Sequence, residues 1–459
     1  MKRIVSILLA CVLCLALCAC SGGGDGPGDK PGNKVEVLEN GRLVATGSDY
    51  VDGITVAPLK DAKVSIMLST TVENMKNLNL EGNPDTFYQT MNVWKATYGV
   101  DVEVRTVVWD DFTTYLATAV ASDIAPDVAL GGTTWFPSWP ANGLSRPLDE
   151  HLDLTEDIWN MDIMNQMKWK DKHYVAFSGD PEYFYICYNK TKFKLAGETT
   201  PLEHWKNGNW NWTQFVKTAV AMSDPANDEF GYNGWNFALN KCIYPLIDMS
   251  DSAQFKSLLT DQKVVRWFTE IYNFYHTNAA RTDANKANFL KLFPVGKDAM
   301  IHISGNEYVT MRKQLAATGG DEFEIAPNPV FDPNGETDPL MFCNVYGYSI
   351  TSTSKNPEAA AELIRLNYLI GRNVSKSFGD LGQFGTYLSE DEKAAILQVN
   401  KLPTNLNFTL GFGNIQHTFN NNVGSFVYSS TAQGSVSSLL DAFDPTFQAA
   451  LNEFSKNLQ

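Results

Sequence analysis

The sequence predicts an α/β fold built on a parallel sheet, and three apolar segments carry that prediction. Val64–Leu68 is a short apolar run of the kind found in buried strands. Val100–Val108 alternates valine with polar residues, and Pro126–Leu130 is a third short apolar run. Helical patterns separate these segments, and strands linked through short connections and helices form a parallel sheet with right-handed crossovers.

The first helix of this sheet has a clear start and a clear apolar face. Asn83 is a good N-cap residue, and Pro84 suits the first helical position. Gly99 ends the helix. The residues on its apolar face are spaced by four, three and four: Phe87, Met91, Trp94 and Tyr98.

The N-terminus has the pattern of a secretory signal. Lys2 and Arg3 precede the apolar run Ile4–Leu17, which is too short to span a bilayer comfortably. The following Leu17-Cys18-Ala19-Cys20 resembles the bacterial lipoprotein box. This resemblance implies that residues 1–19 are a signal peptide and that Cys20 carries the lipid. The alternative is an uncleaved anchor helix.

Residues 20–61 are predicted to be a stalk between the lipid and the folded part. Ser21–Lys34 consists largely of Gly, Asp, Pro and Lys and predicts a flexible tether. Val35–Asp61 contains short alternating runs, which fit either a small hairpin or an ordered extension of the stalk.

Charge and cysteine content exclude several classes of function. The chain has 36 Lys+Arg and 52 Asp+Glu, a net charge of −16, which argues against binding nucleic acid. Cys187, Cys242 and Cys343 remain beyond the stalk without a zinc-binding spacing, so we expect neither a metal nor a cofactor. They are either buried free thiols or one disulfide with a spare thiol.

Several motifs follow one another in an order that resembles a known family. They are Pro126–Gly132, Tyr185–Lys190, Phe293–Met300, Ile303–Gly305, Tyr346–Ile350 and Ser354–Pro357. In this order the chain resembles the family 1 extracellular solute-binding proteins, the sugar-binding group that includes maltose-binding protein. The resemblance covers about 390 residues. Asn306-Glu307 departs from the Pro-Trp that is commoner in the family after Ser-Gly.

The resemblance implies a two-lobed, periplasmic-binding-protein-like fold of type II, with a ligand cleft between the lobes and a three-segment hinge. The first lobe is expected to contain residues 62–178 and 297–345, and the second lobe residues 180–291 and 349–459. The three crossings between the lobes are expected near residues 177–181, 292–296 and 346–351.

Candidate binding residues in the first lobe follow from the parallel sheet itself, because ligands of open α/β sheets bind beyond the carboxyl ends of the strands. Those ends carry Thr70, Trp109, Asp110, Thr134 and Trp135. Sugars require an aromatic ring to stack on and polar groups to pair with their hydroxyls, and these residues supply both. Core packing remains the alternative for both tryptophans, and helix capping remains the alternative for Asp110.

Further candidates lie on the second lobe and at the crossings. They are Asp180, Glu182, Tyr183, Trp235, Asn236, Asn306, Glu307 and Tyr346. For Asp180 the alternative is a simple turn built by Gly179-Asp180-Pro181. Trp235 and Asn236 lie in a loop rich in glycine and aromatic residues.

The predicted function is that of a lipid-anchored, monomeric solute-binding component of an ABC importer. It would bind a carbohydrate, expected to be an oligosaccharide, without chemistry, and deliver it to transmembrane permease subunits. None of the candidate loops contains an arginine, which favours a sugar over an anion. The alternatives are a peptide or other small solute on the same fold, a surface adhesin, and a secreted glycan-active enzyme working through two carboxylates.

Overall fold

A computed structural model describes most of the folded chain. The described residues are 34–37, 43–46, 50–69, 86–234, 239, 245–249, 254–282, 286–318, 320–331, 341–402, 404–406 and 418–456. Cys20 and the signal peptide therefore lie outside the described residues, as do Asn83 and Pro84.

The first sheet has four strands and contains the parallel core that the sequence predicts. Ser65–Leu68 lies between Glu103–Thr106 and Val128–Gly132 and is parallel to both. Tyr346–Ile350 pairs antiparallel with Val128–Gly132 and forms one edge of the sheet. Two chain segments more than 200 residues apart in the sequence therefore meet at this edge.

Helices cover both faces of the first sheet. Ile66 and Leu68 face a core that includes Trp94, on the helix Thr86–Tyr98, and the helix Pro357–Lys376 packs on the same helix. Met67 and Ala129 face a smaller core that contains the helix Phe112–Ala121. Two further helices before the first crossing are Ser138–Ala141 and Met161–Gln166.

The second sheet has six strands centred on Glu182–Asn189. Asp298–Ser304, Phe323–Ala326 and Met341–Asn344 all pair antiparallel with this strand. Phe230–Asn233 pairs parallel with Asp298–Ser304, and Thr404–Leu406 pairs parallel with Met341–Asn344. Nearly every residue of the central strand is buried, as expected for a strand covered on both faces.

Helices and short elements complete the second lobe. The longer helices are Lys190–Ala196, Trp212–Ala221, Gln262–Tyr275, Lys286–Leu292, Gly305–Thr318, Glu390–Val399 and Val436–Lys456. Shorter ones are Pro201–Lys206, Gly382–Gly385 and Ser425–Val427. A small hairpin pairs Ile247–Asp248 with Lys256–Ser257 in this lobe. A second hairpin, Lys168–Trp169 with Lys172–His173, precedes the first crossing and belongs to the first lobe.

The assignment of residues 297–345 to the first lobe is wrong. Asp298–Ser304 and Met341–Asn344 pair with Glu182–Asn189 and belong to the second sheet. Residues 349–376 were expected in the second lobe, but Tyr346–Ile350 and Pro357–Lys376 belong to the first. The order of strands in a sheet depends on pairing between distant segments, which the local pattern of each strand does not encode.

The crossings follow from these pairings. The chain leaves the first sheet after Ala176, which bridges to Tyr348, and enters the second sheet at Glu182. It returns at Val345, between the second-sheet residue Asn344 and the first-sheet residue Tyr346. It crosses again after the helix that ends at Lys376. The expected crossing at residues 292–296 is wrong, because the turn Phe293–Val295 leads directly into a strand of the second sheet.

Part of the predicted stalk is an ordered layer of the first lobe. Lys34–Val37, Leu43–Thr46 and Thr55–Val56 form an antiparallel three-stranded sheet. Val51, Ile54 and Val56 are buried in the first-lobe core. The prediction that residues 20–61 are a stalk outside the folded part is therefore wrong for the segment from residue 50 onward, whose side chains are buried in the first-lobe core.

The structure also constrains the cysteines. Cys187 and Cys343 are buried free thiols, and burial raises the pKa of each. They lie on neighbouring strands of the second sheet, but Cys343 is opposite Tyr183 and Cys187 is opposite Ile325. Cys242 lies outside the described residues.

Candidate functional site

The first two crossing segments run side by side and form the base of the candidate site. Asn344 pairs with Glu182, and the Asn344 side chain donates a hydrogen bond to the Tyr346 hydroxyl at 3.2 Å. Gly132 approaches this crossing so closely that an added Cβ would lie 2.0 Å from the Val345 carbonyl oxygen. Its φ of 146° is also one that L residues rarely adopt, so only glycine fits at this strand end.

A cleft of about 950 Å³ lies between the two lobes at these crossings. Its first-lobe wall is formed by Thr86, Trp159, Asn160, Asn367, Tyr368, Gly371, Arg372 and Lys376. Its second-lobe wall is formed by Tyr183, Tyr185, Gly305, Asn306, Gln383, Phe384 and Asn400. We call this space the interlobe cleft. It lies at the upper end of the volumes typical of small-molecule sites.

Five of the residues predicted from the sequence line the interlobe cleft. Asp180 and Asn306 are exposed, Glu182 and Tyr346 are half-buried, and Tyr183 is buried. They come from the first crossing, the second crossing and the start of the helix Gly305–Thr318. The fold therefore brings together segments that are more than 160 residues apart in the sequence.

Aromatic rings adjoin the cleft at Tyr346. The Trp109 ring lies 4.8 Å from that of Trp135 and 5.7 Å from that of Tyr346, which it meets edge-on. Trp135 is stacked between Phe112 and Trp139. We call these five residues the aromatic cluster. Trp109 is 39% exposed, whereas Trp135 is only 5% exposed.

Polar groups surround the Tyr346 hydroxyl. Burial raises its pKa most, and the negative charges of Glu182 and Glu307 raise it further. The hydrogen bond from Asn344 opposes this rise. Glu307 is held at the end of the preceding strand, because its carboxylate accepts a hydrogen bond from Ser304 N at 3.1 Å. The site thus combines an exposed indole with hydroxyl, amide and carboxylate groups.

Three predicted site residues, Thr70, Trp235 and Asn236, lie outside the described residues. Asp110 lies in the short 3-10 turn Trp109–Asp111, directly after the first sheet's edge strand. Asn233, which ends the strand leading to Trp235, is anchored: its Nδ2 donates to Asp298 Oδ2 at 2.6 Å.

The first-lobe wall was missed by the sequence-based reasoning. Tyr368, Arg372 and Lys376 lie four residues apart on one helix and all line the interlobe cleft. A spacing of four on one helix face was available in the sequence, but nothing in it indicated which face meets the cleft. The candidate loops contain no arginine, as the sequence indicated, but Arg372 lines the cleft from a helix.

The chemistry of the described residues is that of binding by hydrogen bonds and stacking. No group of three or more His, Cys, Asp or Glu side chains among them could hold a metal ion. In the same part of the chain no helix is both long and apolar enough to cross a bilayer.

Two α/β lobes, a cleft between them and chain crossings at its base define a two-lobed solute-binding protein. Residues 79–371 match the bacterial extracellular solute-binding proteins. This match spans more than half of the chain, so the chain belongs to that family, whose members bind solutes and are not enzymes. No curated protein sequence matches the chain.

Solved structures with a similar fold cover nearly the whole folded part of the chain. The galacto-N-biose/lacto-N-biose I-binding protein of an ABC transporter from Bifidobacterium longum is 15% identical, with a TM-score of 0.66, over 87% of this chain and 99% of that one. The cyclic α-maltosyl-1,6-maltose-binding protein from Arthrobacter globiformis is 17% identical, with a TM-score of 0.63, over 86% and 100%. UgpB from Mycobacterium tuberculosis, in complex with glycerophosphocholine, is 15% identical, with a TM-score of 0.61, over 86% and 99%.

Proposed function

We propose that this protein is the lipid-anchored receptor of an ABC importer and that it binds a carbohydrate between its lobes. The observation that carries the proposal is the exposed Trp109 ring, which lies edge-on to Tyr346. Tyr346 lines the interlobe cleft, and amide and carboxylate groups surround its hydroxyl. A sugar presents an apolar face to a ring and hydroxyls to planar polar groups, and this arrangement offers both.

The size of the interlobe cleft supports an oligosaccharide. At about 950 Å³ the cleft is large for a single sugar ring. Aromatic residues line both of its walls, including Trp159 and Tyr368 on the first lobe and Tyr183 and Phe384 on the second. Several sugar units could therefore contact rings along its length.

The structural neighbours support the same class of ligand and keep one alternative open. The protein from Bifidobacterium longum binds galacto-N-biose and lacto-N-biose I, that from Arthrobacter globiformis binds cyclic α-maltosyl-1,6-maltose, and UgpB binds glycerophosphocholine. Another small solute, such as a peptide or a phosphodiester, is therefore the second candidate. It is favoured by one feature of the cleft, the presence of Arg372 in its wall.

Binding would close the lobes over the ligand without any covalent step. The crossings at residues 177–181 and at Val345, with the segment after Lys376, are the places where a hinge can bend, because the chain passes from one lobe to the other there. The hinge includes Gly179, with a φ of 80°.

The anchor and the partner follow from the N-terminus and the family. Lipid on Cys20 would hold the receptor at the extracytoplasmic face of the membrane, close to the permease subunits that take up the released sugar. We expect the receptor to act as a monomer.

Thermal-shift screening of the chain from residue 35 against mono- and oligosaccharides tests the carbohydrate proposal. A ligand at 100 times its dissociation constant stabilises the protein by about 2.7 kcal/mol, which raises the melting temperature. We expect this rise with at least one oligosaccharide, with no product formed. Shifts with peptides or phosphodiesters and with no glycan would reject the carbohydrate.

The anchor needs a separate experiment. Expression of the full chain with Cys20→Ala should move the protein from the membrane fraction to the soluble fraction, because the mature protein would lack its acyl chains. Cys187→Ala is the matched control, since that thiol is buried in the second lobe and should not affect the distribution. Equal membrane association of the unsubstituted protein, Cys20→Ala and Cys187→Ala would reject lipidation at Cys20.

A further inference from the structure

Two cations lie together on the first-lobe wall of the interlobe cleft. Arg372 and Lys376 are one turn apart on the helix Pro357–Lys376 and both line the cleft. Like charges at this spacing repel each other, so the pair is more stable when an anion lies between or beside the two side chains.

A carboxylate of the chain itself already occupies that place. Asp157 lines the same cleft, and its Oδ1 accepts a hydrogen bond from Arg372 Nη1 at 2.7 Å. This bond, with the charge of Arg372 and a smaller contribution from Lys376, holds the pKa of Asp157 below its usual value. Arg372 and Lys376 thus form a position in the cleft wall that can bind an acid group.

Asp157 is poorly held there. Its side chain is 89% exposed, and exposed ion pairs contribute little to stability. Arg372 is also only partly satisfied, because its Nε is buried and has no hydrogen-bond partner among the described residues. A guanidinium group pairs best with an acid that accepts two parallel hydrogen bonds, and Asp157 accepts from one nitrogen only.

We propose that Arg372 and Lys376 form an acid-binding subsite and that the ligand is a glycan carrying an anionic group. A uronate carboxylate, a sulfate ester and a phosphate ester share the required chemistry, which is two acceptor oxygens on one negatively charged group. The ligand's acid group takes the place of Asp157. This inference rests on the proposed function, because it assigns a chemical class to the carbohydrate.

Other residues of the interlobe cleft determine the orientation in which such a ligand would bind. Asp180 and Glu182 line the cleft at the first crossing, in a different segment from the cations. Carboxylates there repel an acid group and accept hydrogen bonds from sugar hydroxyls. The neutral part of the glycan therefore faces the crossing, and the acid group faces the helix.

Isothermal titration calorimetry of the chain from residue 35 tests the subsite with matched pairs of glycans. The pairs are trigalacturonate with its methyl ester, a sulfated carrageenan tetrasaccharide with its desulfated form, and maltotriose phosphate with maltotriose. We expect the acidic member of at least one pair to bind about tenfold more tightly than its neutral partner. The pair that responds identifies the acid as carboxylate, sulfate or phosphate.

Two substitutions then assign the effect to these residues. Arg372→Gln should reduce the affinity for the acidic glycan about tenfold and leave that for its neutral partner within about twofold. Asp157→Asn should raise the affinity for the acidic glycan severalfold, because it removes the competing carboxylate. Lys206→Gln is the matched control, since Lys206 pairs with Asp391 at 2.8 Å on the surface and does not line the cleft.

The outcomes separate this inference from the proposed function. If only neutral glycans bind, or if Arg372→Gln weakens both members of a pair equally, the acid-binding subsite is rejected and the carbohydrate receptor stands. If neither half of the panel binds, the carbohydrate receptor is rejected, and the acid-binding subsite with it. Unchanged unliganded melting temperatures of the variants show that the differences do not come from misfolding.

Discussion

Trp109 and Trp135 lie with their ring centroids 4.8 Å apart, yet only one of the two rings is open to solvent. Trp135 is stacked between Phe112 and Trp139 in the smaller core of the first lobe, whereas Trp109 covers that core and is 39% exposed. The two rings therefore have different roles: the Trp109 ring can contact a ligand, and the Trp135 ring packs beneath it.

Trp109→Ala should weaken ligand binding with little effect on stability. An indole stacked on a ligand contributes about 0.5–1.5 kcal/mol beyond its buried area, so we expect a loss of affinity of about tenfold. The unliganded melting temperature should change little, since the ring is partly exposed. Calorimetric titration with the best ligand of the screen measures the first effect, and a thermal melt measures the second.

Trp135→Ala provides the contrast. Removing a buried aromatic side chain costs about 3–5 kcal/mol, so its unliganded melting temperature should fall strongly. A variant that melts like the unsubstituted protein would contradict the placement of Trp135 in the core.

The sequence could predict that both tryptophans lie at the ligand-binding edge of the first sheet, but not which of them is exposed. Both tryptophans follow strands whose apolar pattern is visible, so their location at the carboxyl edge of the first sheet could be predicted. The exposure of each ring depends also on rings that are distant in the sequence, and local spacing does not identify Phe112 as a neighbour of Trp135. The lobe assignment failed for the same reason, since the pairing of Asp298–Ser304 with Glu182–Asn189 is a tertiary contact.

Glu362 gives the first lobe a pH-dependent stability. Burial raises its pKa to about 7, although the Ala57 N–H and the charge of Arg365 oppose the rise. The folded state therefore holds a proton between about pH 4.5 and pH 7 that the unfolded state has released. The contribution of Glu362 to the free energy of unfolding should therefore be greatest below pH 4.5. It should fall by about 3 kcal/mol as the pH rises from 4.5 through 7.

Glu362→Gln should remove this part of the pH dependence. The measurement is the free energy of unfolding from urea titrations at pH 5 and pH 8, compared with the unsubstituted protein. Glu198→Gln, at an exposed position of the second lobe, is the control and should retain the original slope. An unchanged slope in Glu362→Gln would assign the pH dependence to other groups.

Removal of the N-terminal layer should destabilise the first lobe. Arg365 Nη1 donates to Thr55 O at 3.0 Å, and the Tyr98 hydroxyl donates to Ala57 O at 2.6 Å. With the buried Val51, Ile54 and Val56, these contacts make residues 50–59 part of the core. A chain that begins at residue 62 should lose about 3 kcal/mol or more relative to one that begins at residue 35.

A chain that begins at residue 50 is the control for that truncation. It retains the contacts of Thr55 and Ala57 and lacks only the strands at residues 34–37 and 43–46. We expect its free energy of unfolding, from chemical denaturation, to lie much closer to that of the longer chain. Equal loss in both truncated chains would show that the outer strands, rather than the buried segment, stabilise the lobe.

Gly132→Ala should damage the second crossing. An added methyl group would lie 2.0 Å from the Val345 carbonyl oxygen, and the φ of 146° is unfavourable for alanine. The crossing would have to move away from the first sheet, so we expect a loss of stability of about 3 kcal/mol or more together with weaker ligand binding. Gly53→Ala is the matched control: its φ of 81° is also positive, but no atom lies within 4 Å of the added Cβ. That variant carries only the backbone strain, about 1 kcal/mol, so comparable losses in the two variants would mean that the approach of Gly132 to Val345 does not hold the crossing in place.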